Sequence, residues 1–217
     1  MLLIPIEKIV EECTKYNVLI TGVLHIGAET CDELETYKKV VHEKNIVWVE
    51  ALQDKVDEAV ARGVKAIHKA VICDSVGERP FYRANNVGSS SVLQFGTHKM
   101  VYPGIETVSS VIEPTTTIDV FVKEKGLNMA KLNMWVLNIG GAEMLALKGA
   151  EKMFQYADVI YTKIHADQLY LGCANVHEMD AFLESKNFGR ALTLTTQATW
   201  GDAVYIRKPV VLPQNTQ

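Results

Sequence analysis

The chain has 217 residues and a formal net charge of −4, with 22 Lys and Arg against 26 Asp and Glu. An acidic chain without a basic run argues against nucleic acid or an anionic membrane as partner. No apolar run reaches the roughly 18 residues of a membrane-spanning helix, so we expect a soluble protein in the cytoplasm, or in a host cytoplasm if viral. Its length suits one α/β domain over residues 1–217.

The first third of the chain alternates apolar runs with amphipathic segments. Apolar residues at helical spacing predict a helix within residues 1–17. A β-α-β-α-β order follows, which is typical of a parallel sheet. The predicted strands are 22–26, 46–49 and 70–73, and the predicted helices are 32–41 and 54–61.

The middle of the chain, residues 75–114, breaks this alternation with glycines, prolines and a run of three serines. We interpret it as a β-rich insertion. Long excursions of this kind are often functional, which favours a lid over a binding site. An accessory hairpin without a role explains the pattern equally well.

The alternation then resumes, and its last two strands are close enough to form an antiparallel hairpin. The whole pattern predicts a Rossmann-like class I methyltransferase fold: a seven-stranded, mostly parallel sheet with helices on both faces. We expect 210–217 to be a tail. The predicted strands are 135–138, 159–162, 191–195 and 203–207, and the predicted helices are 117–125, 142–156 and 176–185.

A glycine turn ends the first predicted strand. Its residues are His25, Gly27, Ala28 and Glu29. A glycine there lets the backbone approach a ligand at the carboxyl edge of the sheet. The second and third glycines of a dinucleotide fingerprint are missing, which disfavours an NAD-linked oxidoreductase. We therefore predict that this turn binds a different nucleoside cofactor.

Two acidic residues end the next two predicted strands. Glu50, followed by Ala51, is placed to accept hydrogen bonds from ribose hydroxyls, although a solvated carboxylate is the alternative. Asp74 is placed to face an adenine amino group, although a turn-forming aspartate before Gly77 explains it as well.

The centre of the sheet supplies the candidate catalytic residues. Asn138 and Glu143 flank the glycine pair that follows the predicted strand 135–138, and His165 follows strand 159–162. His165 is a candidate base for an acceptor hydroxyl, with a surface-loop histidine as the alternative. Helix capping is the alternative for Glu143. No histidine pair has zinc-helix spacing, so we expect no metal.

An ordered series of segments resembles the FkbM family of methyltransferases. The resemblance implies S-adenosylmethionine as cofactor and O-methylation of a hydroxyl on a sugar or small metabolite. The segments that carry it are 22–28, 31–34, 47–51, 89–91, 117–119, 141–143 and 200–205.

Three residues depart from the family pattern. Gly140 stands where the family has a glutamine or a glutamate. Asn138 stands where the family has an aspartate, and Lys163 stands where it has a glutamate. Both changes add positive charge near a sulfonium cofactor, which predicts impaired catalysis. The alternative function is a non-catalytic fold member that binds S-adenosylmethionine or a protein partner. The oligomeric state is left open.

Overall fold

The computed structural model describes residues 2–209. Ten strands form a seven-stranded main sheet and a three-stranded second sheet. The strands are β1 (Val23–Ile26), β2 (Ile46–Glu50), β3 (Ile67–Lys69), β4 (Val71–Ile72), β5 (Gly77–Ala84), β6 (Thr107–Thr116), β7 (Met134–Leu137), β8 (Val159–His165), β9 (Phe188–Thr195) and β10 (Trp200–Arg207).

Seven α-helices connect these strands, together with short 3₁₀ turns. Thr117 caps α5 by accepting a hydrogen bond from Val120 N, and Asn175 forms a capping box at the start of α7. The helices are α1 (Ile6–Lys15), α2 (Leu34–Tyr37), α3 (Gln53–Ala61), α4 (His98–Val101), α5 (Ile118–Glu124), α6 (Glu143–Lys148) and α7 (Val176–Ser185).

The main sheet has the strand order β3-β2-β1-β7-β8-β10-β9. Neighbouring strands from β3 to β8 run parallel, whereas β10 pairs antiparallel with both β8 and β9. The predicted seven-stranded sheet with its antiparallel C-terminal hairpin is confirmed. The order reverses between β1 and β7, so a ligand crevice is expected at their carboxyl ends.

The sheet buries both of its faces. Successive residues of β7 belong to different cores: Trp135 packs with α5, α6 and α7, and Val136 packs with α1 and α2. Strands covered on both faces are continuous apolar runs, as the sequence of β7 shows. Helices on both faces are thereby confirmed.

The second sheet forms from the insertion. β5 and β6 pair antiparallel, and β4 joins the far end of β6 in parallel. The β-rich character predicted for 75–114 is seen here, although β6 continues to Thr116.

The third predicted strand, 70–73, is divided differently in the structure. The residues that pair with β2 are Ile67–Lys69, whereas Val71–Ile72 turns away to pair with β6. Apolar character marks residues 71–72 as buried, and it does not reveal which sheet buries them.

Two predicted helices are shorter than expected. In 32–41 only Leu34–Tyr37 is α-helical, because left-handed backbone at Glu29 and Cys31 delays the start of the helix. In 142–156 the helix ends at Lys148, where Gly149 approaches the chain after β4: a Cβ there would lie 2.3 Å from Cys73 O.

The predicted tail, 210–217, lies outside the described residues. The single-domain organisation over 1–217 stays a prediction. Within residues 2–209, no helix is long and apolar enough to cross a bilayer.

Candidate active site

Two cavities open at the carboxyl edge of the main sheet. The first, which we name the β2 crevice, is a cleft of about 600 Å³, including the solvent at its open mouth, between the ends of β1 and β2 and the insertion. Its walls combine the glycine turn with apolar side chains of β4 and β5, a composition that suits a nucleoside. The lining residues used below are Gly27, Glu29, Glu50, Ala51, Gly88 and Asn138.

Glu50 organises the loops around this crevice. Its side chain is only 7% exposed. One carboxylate oxygen accepts a hydrogen bond from Glu29 N at 2.8 Å, and the other accepts one from Leu52 N at 2.9 Å. Burial nevertheless raises the pKa of Glu50 above its ordinary value. The carboxylate therefore holds two backbone turns in place and lines the crevice.

Gly27 has a structural reason to be glycine. Its φ is +86°, and a Cβ there would lie 2.0 Å from Asn138 O. The backbone carbonyl of Asn138, which directly follows β7, therefore leaves no space for a side chain at position 27. A larger residue at this position would therefore clash with the protein before it reached any ligand.

A smaller pocket of about 240 Å³ continues from the glycine turn. His25, Ala28 and Glu29 line it, so all these predicted residues come together. Asp32 and Glu33 add further carboxylates to its wall. The charge of Asp32 is compensated by Arg62, whose guanidinium lies 3.1 Å from the Asp32 carboxylate.

Asp74 is not brought to the crevice. Its carboxylate accepts hydrogen bonds from Ser75 and Arg79 beside the second sheet. The cause is the departure of residues 71–72 from the main sheet, which carries Asp74 away from the carboxyl ends of β1 and β2. The turn interpretation of Asp74 agrees with this placement.

The second cavity, which we name the β8 cavity, is an open cleft of about 1050 Å³, including the solvent at its mouth. Asn138 lines both cavities and so marks the place where they adjoin. Aromatic side chains supply much of its wall, together with a few polar groups. The lining residues used below are Leu3, His98, Asn138, Glu143, Lys163, His165, Tyr170 and Trp200.

His165 and Glu143 form a buried polar pair in this cavity. His165 Nε2 lies 3.8 Å from Glu143 Oε2, and neither ring nitrogen of His165 has a hydrogen-bond partner. The other carboxylate oxygen of Glu143 accepts a hydrogen bond from Ile139 N at 2.9 Å. His165 is the last residue of β8 and is 6% exposed, so the surface-loop interpretation is wrong.

Lys163 is paired rather than free. Its Nζ lies 2.6 Å from Asp202 Oδ1 and 4.7 Å from the centre of the Trp200 ring. Asp202 is fully buried and also accepts hydrogen bonds from the Tyr161 hydroxyl and from Leu3 N. The positive charge at position 163 is therefore compensated within the fold.

Several side chains of the β8 cavity were not assigned a role from the sequence. His98 comes from the insertion, stacks on Phe95 at 4.2 Å and has an unpartnered Nδ1. Trp200 donates a hydrogen bond to the Tyr102 hydroxyl at 2.7 Å. The signal in the sequence was the resemblance to the FkbM family, whose matching residues include His98, Tyr102 and Trp200.

No group of three or more His, Cys, Asp or Glu side chains in residues 2–209 is arranged to hold a metal ion.

Comparison with known proteins decides the family. The profile of the methyltransferase FkbM domain matches residues 23–189, which include both cavities except Leu3 and Trp200. The chain belongs to the FkbM family of methyltransferases. The resemblance inferred from the ordered segments is confirmed. No curated protein matches the sequence significantly.

Solved structures are similar to this FkbM protein in fold. The CurJ carbon methyltransferase superposes with a TM-score of 0.50 at 10% identity, over 94% of this chain and 53% of that chain. Magnesium protoporphyrin IX methyltransferase from Synechocystis PCC 6803 with bound S-adenosylmethionine gives 0.45 at 10% identity, over 94% and 78%. An rRNA methylase from Streptococcus thermophilus gives 0.44 at 10% identity, over 96% and 99%.

Proposed function

We propose that this FkbM protein transfers the methyl group of S-adenosylmethionine to a hydroxyl of a sugar or small metabolite. The observation that carries the proposal is the junction at Asn138, where the β2 crevice adjoins a cavity that contains an unpartnered histidine. A methyl donor in one cavity and an acceptor in the other meet at that residue. Holding two reactants together supplies most of the catalysis in such a displacement.

The β2 crevice holds the cofactor in this proposal. Glu50 accepts hydrogen bonds from the ribose hydroxyls, beside Ala51. The backbone of Gly27, Ala28 and Glu29 lies along the linker, and the pocket at His25 takes the amino-acid end. S-adenosylmethionine supplies an electrophilic methyl group on a sulfonium, and the leaving sulfur becomes a neutral thioether.

The β8 cavity holds the acceptor. His165 Nε2 takes the hydroxyl proton as the oxygen bonds to the methyl carbon, and it later releases that proton to water. Glu143, at 3.8 Å, stabilises the imidazolium that forms. Asn138 orients the acceptor at the junction. Aromatic walls and the acidic charge of the chain favour a small neutral acceptor over nucleic acid.

The non-catalytic alternative rested on excess positive charge at Asn138 and Lys163. Because Asp202 neutralises the charge of Lys163, that charge repels a sulfonium much less than an unpaired lysine would. The following experiment must therefore distinguish methyl transfer from cofactor binding without turnover.

The experiment compares two variants, one in each cavity. Glu50→Gln should weaken S-adenosylmethionine binding about 10–100-fold, the effect of losing charge-assisted hydrogen bonds of about 1.5–3 kcal/mol. His165→Gln should leave that affinity within about twofold but lower methyl transfer about 10²–10⁴-fold, the usual contribution of a general base. Calorimetry measures binding, and mass spectrometry measures methylation of a sugar and polyol panel.

Asp57→Asn and His177→Gln are the matched controls, since both residues are exposed and lie outside the two cavities. If the wild type binds the cofactor and methylates no hydroxyl compound, the non-catalytic alternative replaces our proposal. If Glu50→Gln binds as tightly as the wild type, the cofactor lies elsewhere.

A further inference from the structure

His98 is a buried histidine of the insertion whose ring has no hydrogen-bond partner among residues 2–209. It is 3% exposed, begins α4 and lines the β8 cavity. Aromatic contacts hold its ring instead. The ring stacks on Phe95 with 4.2 Å between ring centres, and the rings of Tyr102 and Tyr170 lie at 5.1 and 5.5 Å. Packing therefore fixes the orientation of the imidazole and leaves its polar atoms unused.

Burial determines which nitrogen of His98 carries the proton. It lowers the pKa of His98 below the ordinary value, and charge on the nearby His165 lowers it further, so the ring is neutral near pH 7 and has a single N–H. Nδ1 is enclosed without a partner. Enclosed N–H groups without an acceptor are rarer in proteins than enclosed acceptors without a donor, which places the proton on Nε2. With Nδ1 enclosed, Nε2–H is the donor that can face the cavity.

Two donors close to His98 are used within the fold. The indole N–H of Trp200 donates to the Tyr102 hydroxyl, and the Tyr170 hydroxyl donates to the backbone oxygen of Ser89. The Nε2–H of His98 has no such partner. A hydroxyl or ether oxygen of a ligand can accept from it, whereas an ammonium group cannot.

His98 lies close to the proposed base, His165. The Tyr170 ring centre is 5.5 Å from that of His98 and 6.2 Å from that of His165, so the two imidazoles are less than about 12 Å apart in the same cavity. A hydrogen bond of about 2.8 Å at each imidazole leaves a gap that one small molecule with two oxygens can span. His165 then takes a proton from one oxygen, while His98 donates to the other.

We propose that His98 is a specificity-determining residue: its Nε2–H donates a hydrogen bond to a second oxygen of the acceptor, so that diols are preferred to monohydric alcohols. This inference rests on the proposed function, in which the acceptor occupies the β8 cavity and loses its proton to His165. It narrows the acceptor from hydroxyl compounds in general to neutral compounds whose two oxygens reach both histidines.

The test compares cyclohexanol with cyclohexane-1,2-diol, -1,3-diol and -1,4-diol, which keep the same ring and add one hydroxyl at different distances. S-adenosylmethionine is the methyl donor, and mass spectrometry measures the methyl ethers. For the wild type we expect kcat/KM to be at least about tenfold higher for the best diol than for cyclohexanol, because an analogue that leaves a polar group of the site unpaired is disfavoured.

His98→Phe keeps an aromatic ring against Phe95 and removes the donor. Its KM for the best diol should rise about tenfold with kcat nearly unchanged, and its kcat/KM for cyclohexanol should stay within about twofold of the wild type. His98→Gln, whose amide can donate in place of Nε2, should recover most of the diol preference. His68→Phe is the matched control and should change neither value, because His68 also packs against an aromatic ring and lies outside both cavities.

If the wild type methylates compounds of the sugar and polyol panel but prefers no cyclohexanediol to cyclohexanol, the inference is overturned and the proposed function stands. Equal losses for diol and cyclohexanol in His98→Phe have the same meaning. If the wild type methylates no hydroxyl compound, both are overturned.

Nitrogen-15 NMR of the wild-type histidines tests the inference even if His98→Phe does not fold. We expect Nε2 of His98 to be protonated and its resonance to move with the best diol but not with cyclohexanol. A proton on Nδ1, or the same response to both compounds, contradicts the proposal.

Discussion

The two cavities differ in how their polar groups are satisfied. In the β2 crevice, both oxygens of Glu50 already accept hydrogen bonds from backbone amides. In the β8 cavity, both ring nitrogens of His165 lack a partner. The first cavity is organised by the main chain before any ligand arrives. The second contains buried donors and acceptors that only a ligand or a small shift of Glu143 would satisfy.

The origin of the walls explains this difference. The crevice is built around the two turns that Glu50 holds by hydrogen bonds, and residues from 70–92 and 138–142 complete its wall. The β8 cavity gathers side chains from the N-terminal segment, the insertion, β8 and the beginning of β10. Its geometry depends on contacts between distant parts of the chain, such as the bond from Leu3 N to Asp202.

The largest effect should come from breaking the β8 cavity at its buried ion pair. Lys163→Glu, which restores the family residue, places a carboxylate against the fully buried Asp202. We expect the free energy of unfolding to fall by about 3–5 kcal/mol, the usual cost of an unpaired buried charge. Denaturant unfolding measures it.

The same charge reversal at an exposed pair is the control. Lys208 lies 2.8 Å from Glu184 on the surface, and Lys208→Glu should cost less than about 1 kcal/mol. If the two variants lose equal stability, the Lys163–Asp202 pair does not hold the cavity together.

The next largest effect tests how tightly the main chain fixes the crevice. Gly27→Ala adds a methyl group 2.0 Å from Asn138 O at a positive φ, so we expect a loss of about 2–4 kcal/mol in unfolding free energy. Gly88→Ala, on the opposite wall, meets only the flexible Glu29 carboxylate at 3.2 Å and should cost less than about 1 kcal/mol. Comparable losses in thermal unfolding would contradict a specific requirement at Gly27.

The smallest effect concerns Asn138, which lines both cavities. Asn138→Asp adds a negative charge near the sulfonium, which should tighten S-adenosylmethionine binding by about 1 kcal/mol, or about fivefold. S-adenosylhomocysteine, a neutral thioether, should bind with unchanged affinity. Calorimetry compares the two ligands. A gain for both ligands, or for neither, would show that Asn138 does not face the sulfonium.

Asn138→Asp is tested alone because the other two departures from the family pattern, at Gly140 and Lys163, cannot be reverted without a cost in stability. Gly140 has a φ of +61°, and a Cβ there would lie 2.9 Å from Ser90 O. A glutamine at that position is therefore strained. Reversion at Lys163 is costly because of Asp202. Only Asn138 can be restored without disturbing its neighbours.

Most of the main sheet could be predicted because buried parallel strands are continuous apolar runs, as in Trp135–Leu137. The same signal misplaced residues 71–72, since apolarity reports burial and not the strand partner. Glu50 and Gly27 were found because they directly follow strands. The partner of Lys163 was not, because Asp202 lies 39 positions away and only the fold brings them together.

The position of β10 has a consequence for how the protein folds. β10 is inserted between β8 and β9, so the sheet can close only after residues up to Arg207 have been synthesised. Trp200 and Asp202 at its start complete the β8 cavity, whereas the residues of the β2 crevice all precede position 143. Long-range pairing is slow because loop-closure entropy opposes it. We therefore expect the β2 crevice to form early and the β8 cavity to form last, during the final closure of the sheet.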